Sequence, residues 1–202
     1  MLLLHALGRS GEDWDSVMPA FARDYRVIAP DLRGHGASSW PGDYSFEAMR
    51  DDTVALLGAL GIDQVVVVGH SMGGAVGWLL ALSRPERVRR LVVEDAPPPF
   101  ARESPVRARP EGPLPFDWDA IVAVSAAVND PSHRWWKALP ELKIPTLVVA
   151  GGPTSTIPQD TLAAAAALVP KSSVVTIPVG HHVHSTRPDA FSDAVLTWLR
   201  EA

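Results

Sequence analysis

The chain has 202 residues, 47% of them hydrophobic, enough apolar material to build one domain with a sizeable core and too much for a disordered chain. Its net charge of −5, from 18 basic and 23 acidic residues with no Lys/Arg-rich run, gives no footprint for a nucleic-acid partner. Cysteine is absent, which excludes disulfides, a thiolate nucleophile and cysteine metal sites, and fits a reducing compartment, with the cytoplasm as the expected location. Met1-Leu2-Leu3-Leu4 is apolar, but no basic residue precedes it and His5 follows at once, so it does not read as a targeting segment. Apolar stretches such as Val65–Val68 are far too short to span a bilayer, and no membrane partner is expected.

Strand-like and helix-like runs alternate along the chain. Leu2–His5 reads as a strand, Trp14–Arg23 as a helix and Tyr25–Ala29 as a second strand, followed by a glycine-rich turn over Asp31–Ser38. A helix over Phe46–Leu60 carries Thr53, Leu56, Leu57 and Leu60 as its core-facing stripe. Then come a strand at Val65–Gly69, a helix at Met72–Arg84 and a strand at Val88–Glu94. Seven prolines between Pro97 and Pro115 break the rhythm; a helix at Asp119–Val128 follows, which Asn129-Asp130-Pro131 ends. The alternation resumes with a strand at Thr146–Ala150, a helix at Gln159–Val169, a strand at Ser173–Pro178 and a helix at Asp189–Arg200. Most strands are continuous apolar runs, as expected for a parallel sheet covered on both faces, so the pattern predicts an α/β fold. Residues 96–143 are expected to form a cap insertion over the strand ends, within a single domain spanning 1–202.

The chemistry concentrates at Gly69-His70-Ser71-Met72-Gly73. An apolar strand leads in and a helix leads out, which is the context that gives a G-x-S-x-G pattern meaning. A serine on such a sharp turn projects its hydroxyl above the sheet, while the N–H of Met72 and the start of the helix face the same space. Gly180-His181-His182-Val183-His184 supplies candidate bases after the last strand, since imidazole has a pKa near neutrality. His181, His182 and His184 have no acidic ligand pattern beside them, so no metal centre is expected.

These stretches, together with Leu4-His5-Ala6-Leu7-Gly8, Asp31-Leu32-Arg33-Gly34-His35-Gly36-Ala37-Ser38 and Arg187-Pro188-Asp189-Ala190-Phe191, resemble the α/β-hydrolase superfamily of the esterase and perhydrolase-like kind. The resemblance covers most of the chain outside the insertion. It implies a three-layer α/β-hydrolase fold, a mostly parallel sheet with helices on both faces and a short cap. It also implies Ser71 as nucleophile, His181 as base, and the backbone N–H groups of Met72 and Leu7 as an oxyanion hole. Relatives usually carry glycine where Ala6 stands; if that position needs a positive φ, alanine costs roughly 1 kcal/mol or more.

The acid departs from the commoner pattern, in which an aspartate sits on the loop after the strand at Thr146–Ala150. Here Thr154 stands at that place, and a threonine cannot carry the charge that steadies an imidazolium. Some family members, haloalkane dehalogenases among them, place the acid at the end of the preceding strand, where this chain has Glu94-Asp95. Adjacent strand residues face opposite ways, so at most one reaches His181: Asp95 is the first choice, Glu94 the alternative, and Asp160 or no acid the remainder. His5, His70, Trp135 and Trp136 are candidate substrate-pocket residues; Trp135 and Trp136, like Phe116 and Trp118, equally fit a role pinning the insertion to the core.

The expected function is therefore hydrolysis of a small or medium apolar ester through an acyl-enzyme, with no cofactor. Alternatives are a cofactor-free perhydrolase or haloperoxidase-like activity, a carbon–carbon or lactone-cleaving specificity, and a non-catalytic ligand-binding relative. The partner is a small-molecule ester-type substrate. Relatives usually have two further strands before the one ending at His5, which would leave the Tyr25–Ala29 edge uncovered here. Such an edge invites pairing with a second copy, so a homodimer is one expectation; a shortened or less stable form is another.

Overall fold

Leu2–Leu4 (β1), Val65–His70 (β2), Val88–Glu94 (β3), Thr146–Ala150 (β4) and Ser172–Thr176 (β5) form one parallel sheet in the order β1-β2-β3-β4-β5. The computed structural model describes residues 1–101, 108–129 and 133–201. Asp130 and Pro131, expected to end a helix, lie outside the described residues, as does Pro105 of the proline-rich stretch.

The helices are Met18–Phe21 (α1), Phe46–Ala59 (α2), Met72–Ser83 (α3), Trp118–Val128 (α4), His133–Ala138 (α5), Gln159–Leu168 (α6), Val183–Thr186 (α7) and Pro188–Glu201 (α8). Strand residues alternate between two apolar layers. Leu2, Leu4, Val65, Val67, Leu91, Val93 and Val148 pack with residues of α2, α3, α4 and α6. Leu3, Val66, Val68, Val92, Leu147 and Val149 pack with Trp14, Phe21 of α1 and Phe191, Val195 and Leu199 of α8. Two faces covered by helices explain why β1, β2 and β4 are buried along their whole length and read as unbroken apolar runs. This is the three-layer α/β-hydrolase arrangement.

Two expected elements differ. Tyr25–Ala29 forms a single parallel bridge, Leu2 with Ile28, instead of a strand, although it covers the edge of β1: Met1 donates to the Arg26 carbonyl, Ile28 to Met1 and Leu3 to Ile28. Pro30 has no N–H and stops the pairing there. The helix expected over Trp14–Arg23 is divided into a 3-10 turn at Gly11–Trp14 and the short α1, because Pro19 is compatible only with a first helical turn. In α2 the fully buried residues are Phe46, Met49, Thr53 and Leu57, while Leu56 and Leu60 are half-buried.

The turn at Asp31–Ser38 is held by its own aspartate. Asp31 accepts from the N–H of Gly11 at 2.7 Å and of Ala37 at 2.8 Å, and its backbone carbonyl accepts from the Ser38 hydroxyl. A Cβ on Gly36 would sit 2.2 Å from Oδ2 of Asp31, so only glycine fits. The imidazole of His5, fully buried, accepts from the Leu32 N–H through Nε2 and donates to the Ala6 carbonyl through Nδ1. His35 in the same way accepts from the Gly8 N–H through Nε2 and donates to the Arg33 carbonyl. The two rings thus tie the loop after β1 to this turn.

Candidate active site

The strand β2 ends at His70 and α3 begins at Met72, leaving Ser71 alone between them with φ 52° and ψ −113°. Such a conformation is strained for any residue with a Cβ. Sterics explain the glycines on either side. A Cβ on Gly69 would lie 2.4 Å from the Gly73 carbonyl oxygen, and one on Gly73 would lie 2.0 Å from the Leu4 carbonyl oxygen. The Gly73 N–H donates to the His5 carbonyl at 3.1 Å, which draws the first turn of α3 against the loop that carries Leu7. Met72 and Leu7 therefore flank the same corner of the sheet. Ala6 carries no strain: among the described residues, the non-glycine positions with positive φ are Ser71 and Asp95, and the loop takes its positive φ at Gly8.

Asp95 follows the last residue of β3 and has φ 47°. Its side chain is buried and its Oδ2 lies 2.8 Å from Nδ1 of His181. The remaining acceptor positions are filled by the loop after β4 and the first residue of α6. Oδ1 accepts from the Gly151 N–H and the Gln159 amide, each at 3.0 Å, and Oδ2 accepts from the Ser155 hydroxyl. Burial pushes the Asp95 carboxyl up, but His181, Ser155, Gln159 and the Gly151 N–H outweigh it and hold it below the usual carboxylate range.

Glu94 turns the other way, to His184 and the backbone of Val183, and makes no bond to His181. Asp160 is exposed and accepts from the Thr161 N–H beside it. His182 is exposed. Of the sequence candidates, the structure thus brings Asp95 and His181 together and sends Glu94, Asp160 and His184 elsewhere. Ser155 and Gln159 were missed: a lone serine on a loop and a glutamine at the start of α6 carry no spacing that points to a carboxylate some 60 positions away.

An apolar hollow opens beside the elbow, lined by Ser71, Asp95, Ala75, Ala96, Pro97, Phe100 and Ile157 among others. His5, His70, Trp135 and Trp136 are not among the residues lining this hollow. His5 and His70 are fully buried under the sheet ends, because each is held by backbone groups. Trp135 packs edge-on against Phe46 of α2, and Trp136 packs against the same apolar layer while donating to the Pro99 carbonyl within the insertion.

A metal or cofactor would need a separate donor set. Asp13, His70 and His184 bring ligand atoms within 4.8 Å of one another below the site. Sequence spacing did not reveal this group, since Asp13 lies far from both histidines in the chain.

Residues 1–113 match the family described as alpha/beta hydrolase fold. The chain is 28% identical to the magnesium-chelatase 30 kDa subunit of Rhodobacter capsulatus, over 98% of this chain and 86% of that protein. It is 29% identical to the sn-1-specific diacylglycerol lipase ABHD11 of Mus musculus, over 98% of this chain and 80% of that one. The crystal structure of a hydrolase from Pseudomonas aeruginosa PA01 superposes with a TM-score of 0.85 at 29% identity, covering 98% of this chain and 88% of that chain.

Proposed function

The chain belongs to the alpha/beta hydrolase family, and we propose that it is a serine hydrolase that cleaves small or medium apolar esters through an acyl-enzyme. The observation that carries this reading is the hydrogen bond from His181 to a fully buried, fully satisfied Asp95, which borders the same hollow as Ser71. In the proposed reaction His181 takes the proton of the Ser71 hydroxyl as it attacks the ester carbonyl. The oxyanion is held by the N–H groups of Met72 and Leu7, with the start of α3 contributing a favourable field. His181 then protonates the leaving alcohol, and in the second half it activates the water that releases the acid. Asp95 fixes the tautomer and orientation of His181 throughout. No metal or organic cofactor takes part in these steps.

The apolar lining of the hollow supports an apolar acyl group, and the similarity to a lipase supports an ester. Residues 96–143 act in this reading as a cap over the site within a single domain, pinned by Trp135 and Trp136. The test is a series of activated esters of increasing acyl length. The protein is expected to turn over the shorter apolar members, and Ser71→Ala to lose at least about a thousandfold in kcat. A folded wild-type protein with no turnover on any member of the series would contradict the proposal.

A further inference from the structure

Behind the His181–Asp95 pair lies a second group of ionisable side chains that acyl transfer leaves unused. Glu94 is wholly buried. Its Oε1 accepts from the backbone N–H groups of Val183 at 2.7 Å and His184 at 2.9 Å, and its Oε2 lies 2.7 Å from Nδ1 of His184. The other nitrogen of His184, Nε2, lies 3.0 Å from the backbone carbonyl of Asp13. A carboxylate that already takes two N–H bonds and a carbonyl are both acceptors. Both nitrogens of His184 are therefore engaged, Nδ1 by the Glu94 carboxyl and Nε2 by the Asp13 carbonyl, and the ring is held from both sides. Trp14 stacks on it with ring centroids 4.2 Å apart, and Phe191 meets it edge-on from α8.

The neighbouring ring of His70 continues the group. Its Nε2 donates to the backbone carbonyl of His181 at 2.8 Å. Its Nδ1 faces Oδ2 of Asp13 at 3.9 Å, and both atoms are buried without a hydrogen-bond partner. The charged and titratable groups around His184 are thus Glu94 from β3, Asp13 from the 3-10 turn and His70 from β2.

We infer that Glu94 and His184 form a buried carboxyl–imidazole clamp that positions His181. The clamp holds the backbone after His181 while Asp95 holds its ring, so the inference rests on His181 being the base. One carboxylate fixes three donors across Val183 and His184, and His70 fixes the carbonyl of His181 itself, which leaves the segment from His181 to His184 little freedom to tilt the ring. Burial pushes the Glu94 carboxyl up, yet His70, His184 and the backbone N–H outweigh it and hold the group below its usual range. The same cluster has the spacing of a cation site, but both nitrogens of His184 are already engaged, by Glu94 and by the Asp13 carbonyl.

The experiment uses the wild-type protein labelled with 15N in its histidines, beside Glu94→Gln and Glu94→Ala. Ring spectra are expected to show Nδ1 of His184 in a hydrogen bond with Glu94 in the wild type, and a shifted Nδ1 signal in Glu94→Gln, where an amide N–H meets Nδ1. The Asp95-bonded ring proton of His181 is expected to persist in Glu94→Gln and to be lost in Glu94→Ala. With an activated ester, Glu94→Gln is expected to lose about tenfold in kcat with KM within about twofold, and Glu94→Ala more. Absence of the hydrogen bond between Glu94 and Nδ1 of His184 in the wild type, an unchanged His181 proton in a folded Glu94→Ala, or stoichiometric divalent metal in the purified protein overturns the clamp. If Glu94→Ala does not fold, the wild-type spectrum and Glu94→Gln still decide. Failure of the wild type to turn over any ester would count against the hydrolase reading alone, because the ring spectra judge the clamp without activity.

Discussion

The hydroxyl of Ser155, on the loop after β4, donates a hydrogen bond to Oδ2 of Asp95 at the end of β3. Ser155 Oγ in turn accepts from the N–H of Ile157 at 2.9 Å, so its own proton is directed to the carboxylate. The loop where many relatives keep their acid has here become the support for an acid that stands one strand earlier. Ser155, Gly151, Gln159 and His181 together give Asp95 four donors, the full capacity of a carboxylate.

Asp95→Asn keeps the shape but presents an amide to His181. The ring is then held in the wrong tautomer, and kcat is expected to fall about 10³- to 10⁴-fold with little change in KM. Steady-state kinetics on an activated ester, with a melting curve to confirm folding, check this.

Ser155→Ala removes one donor from a buried carboxylate. Stability at neutral pH is expected to fall by about 1–2 kcal/mol, measured by urea unfolding. The wild-type Asp95 has its folded-state pKa depressed, so its contribution is present above the ordinary carboxylate pKa and lost as pH falls through the folded value. The variant's folded value moves back towards the unfolded one. The stability gap between the two proteins is therefore expected to be largest near pH 7 and to close in acid.

His5 sets a second pH dependence with a different window. Burial lowers its pKa to about 4, so the folded state refuses a proton that the unfolded chain accepts below about 6.5. Neutral His5 is compatible with folding above that pH, and the penalty grows as pH falls from there towards the folded value. Between pH 7.5 and 5 it is expected to amount to about 2 kcal/mol. His5→Gln, unable to titrate, should lose this slope; an identical slope in unfolding experiments on both proteins would disprove the assignment.

Two glycine replacements should act in opposite directions. Gly73→Ala drives a Cβ to 2.0 Å from the Leu4 carbonyl oxygen and must displace the elbow. A loss of about 2 kcal/mol or more in stability, together with activity, is expected. Gly58 lies exposed in α2 with nothing within 4 Å of an added Cβ, and Gly58→Ala should stabilise by about 0.5–1 kcal/mol with unchanged kcat. Thermal melts of the two variants measure both effects.

The sequence made the fold legible where burial is two-sided. Val65–His70 and Thr146–Ala150 are continuous apolar runs because helices cover both faces. It misled where a single residue decides: Pro30 stops the pairing after Tyr25–Ala29, and Pro19 splits the helix after Trp14. Within the candidate site the elbow is legible because its sterics are local, with Gly69 and Gly73 each forced by backbone close at hand. The contact between Asp95 and His181 spans 86 positions, and the sequence could offer Asp95 only beside Glu94. What separates the two is the turn of the chain at Asp95, φ 47°, which sends its side chain to His181 while Glu94 faces His184. Ser155 on a loop, Asp13 in a 3-10 turn and Gln159 at the start of α6 are single polar side chains without a period to mark them, and only the tertiary structure reveals their partners.

The most direct measurement is covalent labelling with a fluorophosphonate followed by peptide mass spectrometry. One adduct is expected, on Ser71, absent from Ser71→Ala and formed far more slowly in Asp95→Asn. A folded wild-type protein that stays unlabelled, or that carries its adduct on another residue, would contradict it.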